Sequence, residues 1–255
     1  MNICIDVGNS TICIGVFENH VLIAKMSFNV SSKLTEDEFF HLFRQQFDAL
    51  KIDRHKIANI IYSSVVPSID LIVINVIKKI FGKEPLLIGP GTKTGLSIKV
   101  DNPLEIGNDI IADLVGAKEK YGGPLLIADL GTASKILLLD NTSTFTSCLI
   151  MPGLTLSAES LTKKAALLPQ VSLIAPSTVM AKNTLEAMNA GIVYGHAEMI
   201  RGLVRRYEEE LGYPCKHILT GGGAIYLKDL FKDDFIYDQN LNLEGLNIII
   251  GKNVK

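Results

Sequence analysis

Two stretches, IDVGNSTICIGVF (Ile5 to Phe17) and ADLGTASKILLLD (Ala128 to Asp140), set an Asp-x-Gly turn between two apolar runs, 123 residues apart. Each reads as strand, tight turn, strand. The carboxylate closes the first strand, the glycine permits close backbone approach, and small hydroxyl or amide residues follow. A single turn of this kind is an ordinary hairpin. Two of them, one per half of the chain, indicate an internal duplication of a supersecondary unit.

The surrounding pattern extends the duplication. HVLIAKMSF supplies a third strand after the first hairpin, and TFTSCLIMPG a third after the second. TEDEFFHLFRQQFDAL (Thr35 to Leu50) has helical spacing with acids near its start, which suits the helix dipole. IANIIYSSVV reads as a buried strand, SIDLIVINVIKKIF as a second helix and EPLLIG as a further strand. Beyond the turn-rich GPGTKTG, the pattern predicts a helix from about Pro103 that ends at Gly122-Gly123. A long helix over about Leu185 to Glu210, the strand KHILTGGG and a terminal αβα tail complete the chain. The expected fold is α/β: two duplicated lobes, each a mixed sheet flanked by helices, facing one another across a cleft. The expected division is 1–95 and 96–255, with the last helix able to pack back on the first lobe.

Composition narrows the partners. A formal charge of -2 over 255 residues argues against nucleic acid, which needs a concentrated basic face. RGLVRR is followed at once by YEEE and reads as a solvated helix face. No apolar run reaches the roughly 18 residues of a membrane span, and no signal peptide is visible. Cys4, Cys13, Cys148 and Cys215 are widely spaced, without a CxxC pair, so a reduced, cytoplasmic setting is expected. The five histidines show no metal-ligand spacing, and His196 is expected to be structural.

The hairpins suggest a chemistry. Their backbone N–H groups can face an anion, whereas the Asp side chains would repel phosphate directly. A carboxylate there suits a bridging Mg²⁺, which binds through few carboxylates plus substrate phosphates. LTGGGA (Leu219 to Ala224) adds a strand end where a nucleotide can approach closely, with Gly221 and Gly222 at the point of approach. A phosphotransferase also needs a base for the acceptor hydroxyl. Asp109, near the start of a helix, is the candidate; Asp113 competes for the role one turn later. A plain helix N-terminal charge also accounts for Asp109.

Paired Asp-x-Gly hairpins resemble the acetate and sugar kinase/Hsp70/actin superfamily. The fuller set DVGNS, GPGTKTGL, DNPLEIGNDIIADLVGA, ADLGTASK, MPGLTLS and KNTLEAMNAGIVYG, in this order over nearly the whole chain, resembles type III pantothenate kinase. The resemblance implies duplicated actin-like (ribonuclease H-like) lobes with an ATP cleft and ATP-dependent phosphorylation of pantothenate towards coenzyme A. It implies that Asp6, Val7, Gly8, Asn9, Ser10, Thr11, Ile12 and Cys13 handle ATP phosphates, with Asp6 meeting Mg²⁺. It implies that Thr132 contacts ATP, Asp129 binds a monovalent cation (K⁺ or NH₄⁺), and Asp109 is the general base. Val100, Gly107, Asn108, Asp109, Ile110 and Thr184 would lie against pantothenate. A cytoplasmic homodimer is implied as well.

Departures from the family pattern fall mainly on the acceptor side. Val100 stands where tyrosine is usual, Asn108-Asp109-Ile110 where Ala-Asp-Arg is usual, and Lys164-Ala165 where Arg-Thr is common. Losing the arginine removes a charge-assisted contact to a carboxylate, about 1.5–3 kcal/mol, or roughly ten- to a hundred-fold in affinity. In the second hairpin, Ser134-Lys135 replaces two threonines. One reading is that the pocket still holds pantothenate, through Thr184, Lys164 and backbone groups. Another is that it takes a different small hydroxyl metabolite; a third, that the chain is a non-catalytic regulator. Retention of Asp6, Asp109 and Asp129 argues against the third, since a binder needs no base.

Overall fold

Packing separates two units in this computed structural model, which describes residues 1–165 and 167–254. In chain order the elements are β1 (Asn2–Val7), β2 (Thr11–Glu18), β3 (Val21–Asn29), α1 (Glu36–Ala49), β4 (Asn59–Ser64), α2 (Pro67–Phe81), β5 (Leu86–Leu87) and β6 (Ser97–Ile98). Then follow α3 (Asn108–Tyr121), β7 (Leu125–Leu130), β8 (Ala133–Leu139), β9 (Thr144–Pro152), α4 (Leu154–Lys164), α5 (Thr184–Leu211), β10 (Lys216–Thr220), β11 (Ile236–Tyr237) and α6 (Leu241–Asn253). The first unit holds Met1–Leu96, Asp101–Glu119 and Asn240 onward; the second holds Ser97–Val100 and Lys120–Gln239.

In the first unit the sheet runs β3-β2-β1-β4-β5, with β1 antiparallel to β2 and parallel to β4. Ile3, Ile5, Val7, Ile12, Ile14 and Val16 enter one core with Phe39, Phe43 and Phe47 of α1. The three rings recur every fourth residue, so all lie on one helix face. Each such burial contributes about 1.5–3 kcal/mol. Thr35 caps α1 by accepting from Glu38 N, and the Glu38 carboxylate accepts from Thr35 N in return. Where α6 crosses α3, a Cβ on Gly116 would lie 2.5 Å from the Leu241 carbonyl, and one on Gly245 would enter the Ala112 carbonyl. Those two glycines let the helices touch backbone to backbone.

In the second unit the sheet runs β11-β10-β7-β8-β9-β6. Its first five strands repeat the order of the other sheet: a meander of three antiparallel strands, then two strands added parallel to the first. The duplication is therefore topological. Leu126, Ala128, Leu130, Ile136 and Leu138 pack with Ile192, Val193, Ala197 and Ile200 of α5 and with Phe231.

The helix expected from Pro103 begins later. Pro103–Glu105 is a separate 3-10 turn whose Leu104 N–H is taken by the Asn102 side chain, and Ile106 is extended. Gly107 closes the break, so Asp109 falls in the first turn of α3 rather than mid-helix. The first helix of the expected αβα tail is only a 3-10 piece, Gly222–Tyr226. α4 and β6 were not legible as elements: α4 buries just Leu154 and Ala158, and β6 forms two pairs with β9. Among the described residues, no helix is long and apolar enough to cross a membrane.

Candidate active site

In the first hairpin Val7 pairs with Ile12 and Asp6 with Cys13, and the turn closes by Gly8 N–H donating to the Thr11 carbonyl at 3.0 Å. The Val7 and Ile12 side chains are fully buried in the core, so those two residues can meet a ligand through backbone alone. Asn9 and Ser10 are exposed at the tip. Asp6 is half-buried, and its Oδ1 accepts from Ser63 Oγ at 2.9 Å. Ser63 stands directly beside it on β4 and is itself fully buried. Burial pushes the Cys13 thiol up, the hydrogen bond with Ser27 partly offsets this, and the Asp6 charge adds to the rise.

The next serine on β4 ties in the start of α3. The Ser64 carbonyl accepts from Asn108 Nδ2 at 3.3 Å. Two neighbouring serines thus bring Asp6–Cys13 and Gly107–Ile110 to the same end of one sheet. Asn242 Nδ2 donates to the Asp109 carbonyl at 3.1 Å, and a Cβ on Gly107 would run into Asp109 Oδ1. Gly107 is therefore what lets the Asp109 carboxylate fold back over the preceding turn. Ile110 is 8% exposed and offers only an apolar wall. Asp113 is 2% exposed, out of reach of a diffusing acceptor, whereas Asp109 is half-exposed. Of the two competing carboxylates, Asp109 is the solvent-accessible one.

The second hairpin has the corresponding plan. Asp129 pairs with Lys135 on β8 and with Thr220 on β10, as Asp6 does with Cys13 and Ser63. Lys135 Nζ lies 2.5 Å from Asp129 Oδ2, with both side chains nearly buried. Ser134 Oγ and His196 Nε2 are 2.8 Å apart in the core, and burial lowers the His196 pKa. Both features fit a structural role for His196. Thr132 is exposed at the turn, and its carbonyl accepts from Gly153 N–H at 3.0 Å.

Glycines line this turn because backbone presses on backbone. A Cβ on Gly153 would enter the carbonyls of Gly131 and Thr132; one on Gly223 would lie 2.9 Å from the Leu130 carbonyl. Gly221, at φ +88°, would place its Cβ 2.5 Å from both Asp129 Oδ1 and Leu130 N. Gly222, by contrast, is exposed with open space around it. Thus Asp129, Thr132, Gly221 and Gly222 come together. Val100 and Thr184 are positioned by other elements: Val100 follows the β6–β9 pairing at the sheet edge, and exposed Thr184 opens α5 behind the Asn183 cap.

Sequence reasoning passed over Ser63, Gly153 and Gly223. Ser63-Ser64 had a signal, since two hydroxyls end an otherwise apolar strand. Gly153 lies in the quoted MPGLTLS, but its steric requirement arises from a turn some 20 residues away in sequence.

A model of the type III pantothenate kinase family matches residues 2–206. The type III pantothenate kinase of Myxococcus xanthus is 38% identical over 253 residues, covering 99% of each chain. Among solved structures, a putative 2-dehydro-3-deoxygalactonokinase from Sinorhizobium meliloti has a TM-score of 0.61 at 12% identity, covering 100% of this chain and 97% of that one. The archaeal actin homolog Ta0583 has a TM-score of 0.50 at 14% identity, covering 99% of each. These two show the fold alone: duplicated actin-like lobes. With the family match spanning most of the chain and the relative nearly all of it, this protein belongs to the type III pantothenate kinase family.

Proposed function

We propose that the protein transfers the γ-phosphoryl group of ATP to the hydroxyl of pantothenate, giving 4'-phosphopantothenate, the first step of coenzyme A biosynthesis. The observation that carries this reading is the reachable Asp109 carboxylate, tied through Asn108 and the β4 serines to the end of the sheet that bears the Asp6 hairpin. Asp109 takes the proton of the acceptor hydroxyl as its oxygen bonds to the γ-phosphorus. The bond from that phosphorus to the β–γ bridging oxygen breaks, ADP leaves, and the proton passes to solvent.

Backbone N–H groups of Asn9 and Ser10 at the tip of the first hairpin, and of the Gly131–Ala133 turn with Thr132, hold phosphate oxygens; exposed Gly222 meets the nucleotide with nothing in the way. The half-buried Asp6, oriented by Ser63, fits Mg²⁺, which needs few carboxylates and keeps its waters. When bound, Mg²⁺ supplies charge neutralisation of the transferring phosphoryl group. On this reading Gly107, Asn108 and Ile110 are the acceptor contacts assigned to the first unit, and Val100 and Thr184 those assigned to the second. A cytoplasmic homodimer is part of the same reading. The wide spacing of the four cysteines fits a reducing compartment, and exposed apolar side chains at Leu167, Ile174, Val179 and Met180 fit a subunit contact.

Asp109→Asn tests the chemistry. It should reduce pantothenate-dependent ADP release at least about a thousand-fold while ADP affinity stays within about twofold. Turnover within tenfold of native would remove Asp109 from the role of base.

A further inference from the structure

We propose that the Lys135 ammonium is the built-in cation of the second hairpin, taking the place of a free monovalent ion at Asp129. The inference rests on the kinase reading, but nucleotide binding tests it separately from turnover.

The residues present do not fit a resident K⁺ or NH₄⁺ at this carboxylate. Lys135 and Asp129 sit directly opposite each other on antiparallel β8 and β7. Their side chains, 13% and 11% exposed, meet at 2.5 Å. A nearly buried carboxylate requires a counter-charge, and a second cation on it would face the ammonium at close range in a poorly screened environment. The rest of the hairpin holds the pair in register. Ser134, beside Lys135, is anchored to His196 at 2.8 Å, and Gly221 packs on Asp129 with no room for a Cβ.

The ammonium performs the task an ion would. It offsets the Asp129 charge, so that the N–H groups of the Gly131–Ala133 turn can donate to a phosphate beside it without repulsion. Lysine suits this role because its charge is compact and carries three donors. Being covalently attached, it does so at any ion concentration. A threonine at 135 would offer only a neutral hydroxyl, leaving both the charge and the space to a free ion. Position 135 therefore sets whether nucleotide binding depends on monovalent salt.

The experiment measures ADP affinity by titration calorimetry, with Mg²⁺ present, in potassium, sodium and tetramethylammonium chloride at equal ionic strength. Thallium-205 NMR reads direct occupancy of a monovalent site. Native protein should bind ADP within about twofold in all three salts and show no saturable thallium site, whereas Lys135→Thr should lose about tenfold in tetramethylammonium and recover it in potassium. A tenfold potassium requirement or a saturable thallium site in the native protein would overturn the proposal. So would a folded Lys135→Thr protein that ignores potassium. If that variant does not fold, the native measurements decide by themselves. Absent turnover with salt-independent ADP binding would count against the acceptor assignment and leave the Lys135 proposal supported.

Discussion

Replacing Gly221 by alanine puts the geometry of the second hairpin to a quantitative test. Gly221 has φ 88° and ψ 163°, a region essentially reserved for glycine, which costs another residue about 1–3 kcal/mol. The added Cβ would also lie 2.5 Å from Leu130 N and 2.7 Å from Leu130 C, backbone atoms of a buried strand that cannot step aside. Overpacking of that kind adds about 1–3 kcal/mol. Together these lower stability by about 4 kcal/mol, and at roughly 2–4 °C per kcal/mol for a chain of this size Tm falls by about 8–16 °C. Scanning calorimetry of native, Gly221→Ala and Gly222→Ala proteins makes the comparison. Nothing lies within 4 Å of a Cβ on Gly222, so its melt should stay within about 2 °C of native. Any loss of ADP affinity in Gly222→Ala then belongs to the ligand contact. A Gly221→Ala melt within 2 °C of native would refute the account, as would a Gly222→Ala melt that falls equally far.

Three further outcomes follow from the same packing. Gly107→Ala should turn the Asp109 carboxylate away, lowering kcat about tenfold or more with little change in Tm, read by steady-state kinetics beside a thermal melt. Gly245→Ala should cost about 1–3 kcal/mol by forcing α6 off the Ala112 carbonyl, seen as a shift in urea midpoint. His196 is buried and its pKa lowered, so above the ordinary histidine value near 6.5 it is neutral in both folded and unfolded chains. Below that value the unfolded chain takes up the proton first, so stability is lost as pH falls towards the depressed folded value. Chemical denaturation between pH 7.5 and 5 should show this loss, and His196→Asn should reduce it.

The hairpins were readable from sequence because everything that forms them is local: alternating apolar residues, a glycine and small polar residues within a dozen positions. The register of the second hairpin even places Lys135 opposite Asp129, so their pairing follows once the turn is located. What escaped depends on distant chain. Ser63 matters because β4 lies parallel to β1, 57 residues away from Asp6, and no local pattern records that neighbour. β6 is a two-residue strand set by its partner rather than by propensity, whereas β11 is the strand expected in the tail. The late start of α3 shows a local competition that periodicity overlooked. Isoleucines and leucines continue the helical spacing through Ile106, yet Gly107 and the Asn102 cap favour a separate 3-10 turn. That break is what puts Asp109 at a helix start.

The central claim is that this chain phosphorylates pantothenate. The most direct measurement incubates purified protein with ATP, Mg²⁺ and pantothenate, and follows ADP and new phosphate ester together by phosphorus-31 NMR. The account predicts ADP only when pantothenate is present, matched mole for mole by a phosphomonoester on its hydroxyl. ADP at the same rate without pantothenate, or no ester despite intact ADP binding, would contradict it.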